Sequence, residues 1–213
     1  MTATLAERYP HKMRRAQPTL VGKVRLVQPF PPEYIWLLWK WSDPVWFRIA
    51  DDFTPHDPVA YVEWQECIEA QDNTLSWGVY RGDELGGLIR AVVDPLRPWQ
   101  ADLHVLFKKD FWGRHNTVPA MLLVFAELLG PRGLKKLNTA TFASNSAINS
   151  LIAEIGGVKE GVRRRATMKD GKLVDMVLYG MTPEDFEARL HDEPALLALL
   201  HANAEVPAAK GVN

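Results

Sequence analysis

The stretch Leu103-His104-Val105-Leu106-Phe107, then Lys108-Lys109-Asp110-Phe111-Trp112-Gly113-Arg114-His115-Asn116-Thr117, then the apolar run Val118 to Leu129, decides how this chain is read. The first five residues form a short strand, and the next ten a basic, polar loop. The following run places Met121, Leu122, Phe125, Leu128 and Leu129 on one helical face. It carries Pro119 in its first turn, where a missing N–H costs nothing, and stops at Gly130-Pro131. A strand that empties through a loop into a helix start leaves the first-turn N–H groups without intrahelical partners. Those groups and the helix dipole attract anions, phosphates above all.

Downstream, Leu134 to Phe142 reads as a strand. A helix follows with Ile148, Leu151, Ile152 and Ile155 at i, i+3, i+4, i+7; Asn145 stands at its start and Gly156-Gly157 at its end. Val162–Met168 and Leu173–Met181 are strands around the hairpin signal Asp170-Gly171. Thr182-Pro183 opens a C-terminal helix. Upstream, Val21–Val27 alternates as a first strand and breaks at Pro29-Phe30-Pro31-Pro32. Helices are predicted over Glu33–Lys40, after Ser42-Asp43-Pro44, and over Val59–Ala70. Strands Leu75–Tyr80 and Leu85–Val93 flank a turn at residues 81–84, with Gly86-Gly87 marking a bulge or a close backbone approach. Trp99–Phe107 is then the fourth of seven strands. The order predicts an α/β (α+β) fold with a central seven-stranded sheet flanked by helices. One domain over residues 21–190 is expected between a flexible arm (1–20) and a C-terminal helical extension and tail (191–213).

The 213 residues carry a formal net charge of −1, so nothing global pulls the chain toward nucleic acid or an anionic membrane. No apolar run is long enough to span a bilayer, and the first fifteen residues lack a signal-peptide core. Cys67 is the only cysteine, which excludes an intrachain disulfide and a cysteine-based metal site and fits the cytoplasm. It reads as a packing thiol on a helix that places Tyr61, Trp64 and Ile68 on one face. No metal site is expected.

The element order, the hairpin before the fourth strand, the anion loop, the stretch Asn145 to Arg163 and the run Gly171-Lys172-Leu173-Val174-Asp175 with Tyr179-Gly180 together resemble the GNAT superfamily of acyl-CoA N-acyltransferases. The ribosomal-protein and N-terminal-amine type is the nearest flavour. The resemblance implies that the fourth and fifth strands splay apart, that acetyl-CoA is the acyl donor, and that an amine attacks it directly in a ternary complex. It also implies cofactor contacts from backbone atoms of Val105, Leu106 and Phe107, from the loop Trp112, Gly113, Arg114, His115, Asn116, Thr117 and Val118, and from Asn145. Family members are often homodimers. The loop departs from the family's pattern: Trp112 stands at its first position, His115 at its central glycine and Thr117 at its last. Ile152 replaces the tyrosine that often protonates the leaving thiolate, so the general acid does not carry over.

Acyl transfer to an amine needs a proton acceptor, an oxyanion donor and aligned reactants. Strand alternation puts Asp102, His104 and Leu106 on one face. His104 titrates near working pH, and a neighbouring carboxylate would orient it, so Asp102 and His104 are the candidate catalytic relay. Trp36, Trp41, Trp46 and Asp43 are the candidate acceptor-binding residues. The acceptor could be a protein N-terminus, a small amine or an amine on a modified nucleobase. Two rival readings are acetylation of a DNA base, with basic clusters such as Arg163-Arg164-Arg165 tracking phosphates, and a non-catalytic binding module.

Overall fold

The computed structural model describes residues 19–21, 24–113 and 116–198. Most of the expected arm, the tail beyond residue 198, and the loop residues Arg114 and His115 lie outside the described residues.

The chain builds one eight-stranded sheet from β1 (Thr19–Val21), β2 (Val24–Val27), β3 (Thr74–Arg81), β4 (Glu84–Val93), β5 (Gln100–Phe107), β6 (Lys136–Phe142), β7 (Val158–Lys169) and β8 (Lys172–Met181). The spatial order is β1-β2-β3-β4-β5-β6-β8-β7. Only β5 and β6 run parallel, and every other neighbouring pair is antiparallel. The seven expected strands are present, and the eighth comes from the first of them. The chain reverses between Val21 and Val24, which face each other across a short hairpin.

Among the described residues six helices cover the sheet: α1 (Ile35–Ser42), α2 (Trp46–Ile49), α3 (Pro58–Glu69), α4 (Thr117–Leu129), α5 (Ser146–Glu154) and α6 (Pro183–Asp192). α3 starts where Asp57 caps it, its carboxylate accepting the Val59 and Ala60 N–H groups, with Pro58 at the first position. α6 opens on a capping box between Thr182 and Asp185.

The main core lies between the sheet and α4. Alternate residues Ile89, Ala91 and Val93 of β4 and Ala101, Leu103 and Phe107 of β5 meet Val118, Leu122, Phe125 and Leu128 there. The other face, holding Leu88 and Leu106, packs against a second cluster of Phe30, Ile35, Leu38, Trp41 and Tyr61. Gly86 and Gly87 do both things their sequence suggested. The β3–β4 register slips at Val79/Tyr80, and a side chain at either glycine would overlap the Phe111 or Phe107 ring.

Cys67 corrects a sequence reading: it is exposed. The buried positions of α3 are Tyr61 and Gln65, one turn apart, while Trp64 is 40% exposed. A buried glutamine marks the inward face because it serves a polar partner on the sheet, which apolar periodicity does not register.

Candidate active site

β5 has complete pairing on one side only. Toward β4 its register runs from Ala101 to Phe107. Toward β6 it stops after Gln100, Ala101 and Asp102. Beyond Asp102 the two strands part, which is the splay the resemblance implied. The Thr139 hydroxyl donates to the Leu103 carbonyl at 3.1 Å across the start of this gap, so Leu103 directs its backbone groups into it. By strand alternation Val105 does the same, while Leu106 turns toward β4. Consistent with this, the Lys108 N–H, two residues on, donates to the Gly86 carbonyl of β4. The Phe107 carbonyl is taken by the Trp112 indole N–H at 2.9 Å. Of the three backbone positions expected to hold the cofactor arm, Val105 is the one whose polar groups face the opening.

Three cavities meet at this gap. On the α1–α3 face lies a cleft of about 700 Å³, lined among others by Arg48, Asp51, Asp102, His104, Asn145 and Arg163. On the α4 face is a small apolar cavity of about 50 Å³, between Leu103, Val105, Met121, Phe125, Ile152 and Tyr179. A third groove, about 340 Å³, runs between α3 and β4 past Trp46, Tyr61, Trp64 and Arg90 to His104.

His104 and Val105 line both large cavities. The His104 ring is open to the cleft yet has protein around most of it. That desolvation lowers its pKa, the Arg90 guanidinium lowers it further, and Asp102 acts in the opposite direction. The net effect favours the neutral ring, the form able to take a proton at pH 7. Arg90 stands directly across the strand pair from His104. It is 4% exposed and is held by an ion pair with Glu69 and a 2.9 Å hydrogen bond to the Gln65 side-chain amide oxygen. Glu69 also accepts the Ser76 hydroxyl at 2.8 Å. The sequence reading missed this network. Its signal was an arginine inside the apolar run Leu88-Ile89-Arg90-Ala91-Val92.

The far wall of the cleft is pinned by aspartates. Asp51 accepts the hydroxyls of Thr54 (2.8 Å) and Thr167 (2.7 Å), besides the backbone N–H groups of Phe53 and Thr54. Burial pushes its pKa up, but the Thr167 and Thr54 bonds and the backbone donors outweigh it, and the net shift is downward. Asp52 accepts the N–H groups of Asp170 and Gly171 at the β7–β8 turn. This docks the segment after α2 onto that hairpin. Arg165 sits at φ 52° in a bulge of β7, and its N–H donates to Asp175 at 2.7 Å.

The anion loop is tethered through its side chains. Phe111 is fully buried, and Lys108, ion-paired with Glu84, lies over its ring. Gly113 has φ +119°, a backbone conformation that suits glycine. The Asn116 and Thr117 N–H groups both donate to the Gly113 carbonyl, at 3.3 and 3.1 Å. Those two amides close a turn instead of standing open at the helix start.

Asn145 makes no side-chain cap on α5. Its amide donates to the Arg48 carbonyl at 3.3 Å, tying α5 to α2 across the cleft. Among the expected acceptor residues, Trp46 lines the third groove. Trp41 is instead packed in the second core cluster with Phe30 and Leu38, because it falls on the inner side of α1. Trp36 is 47% exposed with Lys40 over its ring, and Asp43 is exposed; neither lines a cavity described above. Tyr179 was not singled out as a site residue. It lines both the large cleft and the small apolar cavity, and its hydroxyl donates to Asn149 at 3.1 Å. Among the described residues no cluster of His, Cys, Asp or Glu could hold a metal ion, and no helix is long and apolar enough to cross a membrane.

No protein-family model matches the chain, and no curated protein matches it in sequence. Solved structures match it closely in shape. A GCN5-related N-acetyltransferase from Brucella melitensis superposes with TM-score 0.69 at 15% identity, covering 88% of this chain and 86% of that one. RimJ from Mycobacterium smegmatis, solved in complex with CoA-disulfide, gives 0.68 at 15% identity over 84% and 93%. The ribosomal-protein-S5-alanine acetyltransferase of Vibrio fischeri gives 0.64 at 10% identity over 80% and 99%. The chain has the fold of the GNAT N-acetyltransferases.

Proposed function

We propose that this protein is an acyl-CoA-dependent N-acetyltransferase that moves an acetyl group from acetyl-CoA to a primary amine by direct attack in a ternary complex. One observation carries the reading: the β5–β6 gap opens between a large cleft and a small apolar cavity, with the Val105 backbone facing it and His104 beside it. Acetyl-CoA supplies the activated thioester. The chain supplies the rest. The Val105 N–H is placed to bind an acyl oxygen as it gains charge. His104, kept neutral by its surroundings, accepts a proton from the incoming ammonium, and Asp102 two residues earlier stabilises the charged ring. Tyr179, on the opposite side of the gap, is the hydroxyl we assign to protonate the departing thiolate; the second proton that the attacking nitrogen loses as the tetrahedral intermediate collapses replaces the one Tyr179 gives up.

The known structures of this fold include one with a CoA compound bound, which supports a CoA-linked donor here. The closed turn at Gly113 bears directly on that point. A helix start with fewer open amides holds a pyrophosphate less firmly, and Val118 and the side chains of Arg114 and Lys109 then carry more of the binding. The acceptor classes consistent with the fold are a protein N-terminus, a small amine and an amine on a modified nucleobase.

The test is thermal unfolding with and without acetyl-CoA, followed by thiol release in the presence of amines. Ligand at about 100 times its Kd adds roughly 2.7 kcal/mol, and each kcal/mol raises Tm by about 2–4 °C at this size. A rise of several degrees with acetyl-CoA and none with free adenine nucleotide supports the reading. No shift at millimolar acetyl-CoA overturns it.

A further inference from the structure

The groove between α3 and β4 is not needed to hold an acetyl donor, yet it ends at His104. It shares Ile49, Thr54, His104 and Val105 with the main cleft and is therefore a branch of it. Its walls are aromatic. Trp46 packs against Trp39, His56 and Tyr61 with ring centroids 5.6, 4.6 and 5.8 Å apart, and Tyr61 in turn packs on Trp64 at 5.7 Å. Trp64 and Ile49 remain 40% and 41% exposed at its rim. Arg90, its charge met by Glu69, also lines it. Among the described residues no carboxylate lines it.

We propose that this groove is the acceptor's side-group subsite and that it selects amines carrying an aromatic ring, such as arylalkylamines. The inference rests on the acetyltransferase reading above. A rigid ring system buries a large area against Trp46 and Trp64 at little entropic cost and gains from edge-to-face and stacked contacts. A polyamine gains nothing comparable. Its second ammonium would find no carboxylate among the described residues that line the groove, so the cost of desolvating it goes uncompensated.

The experiment compares phenethylamine, tryptamine, propylamine and spermidine as acceptors with acetyl-CoA, read by thiol release. Phenethylamine binding is measured separately by calorimetry. The proposal expects kcat/KM for the aryl amines at least tenfold above propylamine and spermidine, carried by KM. In Trp64→Ala and Trp46→Ala that ratio falls toward one, while Trp99→Ala, exposed outside the three cavities, keeps it. Equal kcat/KM for aryl and alkyl amines, or a preference for spermidine, overturns the subsite and leaves the acetyltransferase reading standing. Acetyl-CoA that neither binds nor releases thiol with any of the four amines overturns that reading and this inference with it. Phenethylamine that binds no more weakly to Trp64→Ala than to the wild type overturns the subsite whatever the transfer assay shows.

Discussion

The two edges of β5 are built to opposite rules. Toward β4 the strand is paired from Ala101 to Phe107, glycines let the backbone approach the Phe107 and Phe111 rings, and the buried Arg90–Glu69 pair braces the sheet beside His104. Toward β6 the pairing stops at Asp102, and what replaces it is a Thr139 hydroxyl, a cleft and an apolar cavity. One edge holds the strand in place so that the other can stay open. Backbone groups left unpaired in a sheet are costly unless water or a ligand meets them. The opening kept here, beside two hydrophobic clusters, is where we propose the acyl donor binds.

The comparison breaks first at His104, the residue that belongs to both edges. His104→Gln should lower kcat/KM by about 10²- to 10⁴-fold, the usual worth of a general base, while the far-ultraviolet circular dichroism stays unchanged. A loss under threefold would remove His104 from the mechanism. Next comes the brace. Arg90→Met leaves the partly buried Glu69 without its cation and should cost about 2–3 kcal/mol in urea unfolding, below the cost of breaking a fully buried pair. Pairing it with Glu69→Gln should recover part of that loss, as expected for two partners in contact. Gly87→Ala tests the tight side of β4, where a Cβ overlaps the Phe107 ring; repacking should cost about 1–3 kcal/mol. Thr139→Val tests the open side. It should cost about 1 kcal/mol of stability and change KM for acetyl-CoA more than KM for the amine. The reverse pattern would place Thr139 on the acceptor side.

The smallest effect concerns pH. The His104 pKa lies below that of the unfolded chain, so between the two values the unfolded state binds more protons. The stability linked to this group is complete above the ordinary histidine value near 6.5 and declines as pH falls through and below it. Thermal melts should therefore lose less between pH 7 and 5.5 in His104→Gln than in the wild type. Equal slopes would show that other groups dominate.

Local patterns carried much of the architecture. Alternation placed Asp102 and His104 on one face of β5, and they line one cleft. Asp170-Gly171 made a hairpin turn with both residues at positive φ, 52° and 68°. Thr182-Pro183 opened a helix with the cap those residue types favour. Other roles were illegible because they belong to pairs of distant residues. Asp51 and Asp52 pin the β7–β8 hairpin, 116 to 119 residues away. Four tryptophans within eleven residues looked alike in sequence, yet Trp41 fills a core and Trp46 walls a groove. Asn145 stands at the start of α5, and only the folded chain shows that its amide joins that helix to α2.

The sequence by itself determined most of the strands and helices and the apolar side of most of them, the split of the first strand and the inward face of α3 excepted, since both follow from periods of 2 and 3.6 and from local turn and cap chemistry. Only the tertiary structure decided that β5 is left open on one side, that Arg90 faces His104, and that an aromatic groove ends at the same histidine. Those facts depend on the order of strands in the sheet and on where α2 and α3 cross it. Contacts between residues far apart in the chain are set by closure of the whole fold, and no local pattern encodes them.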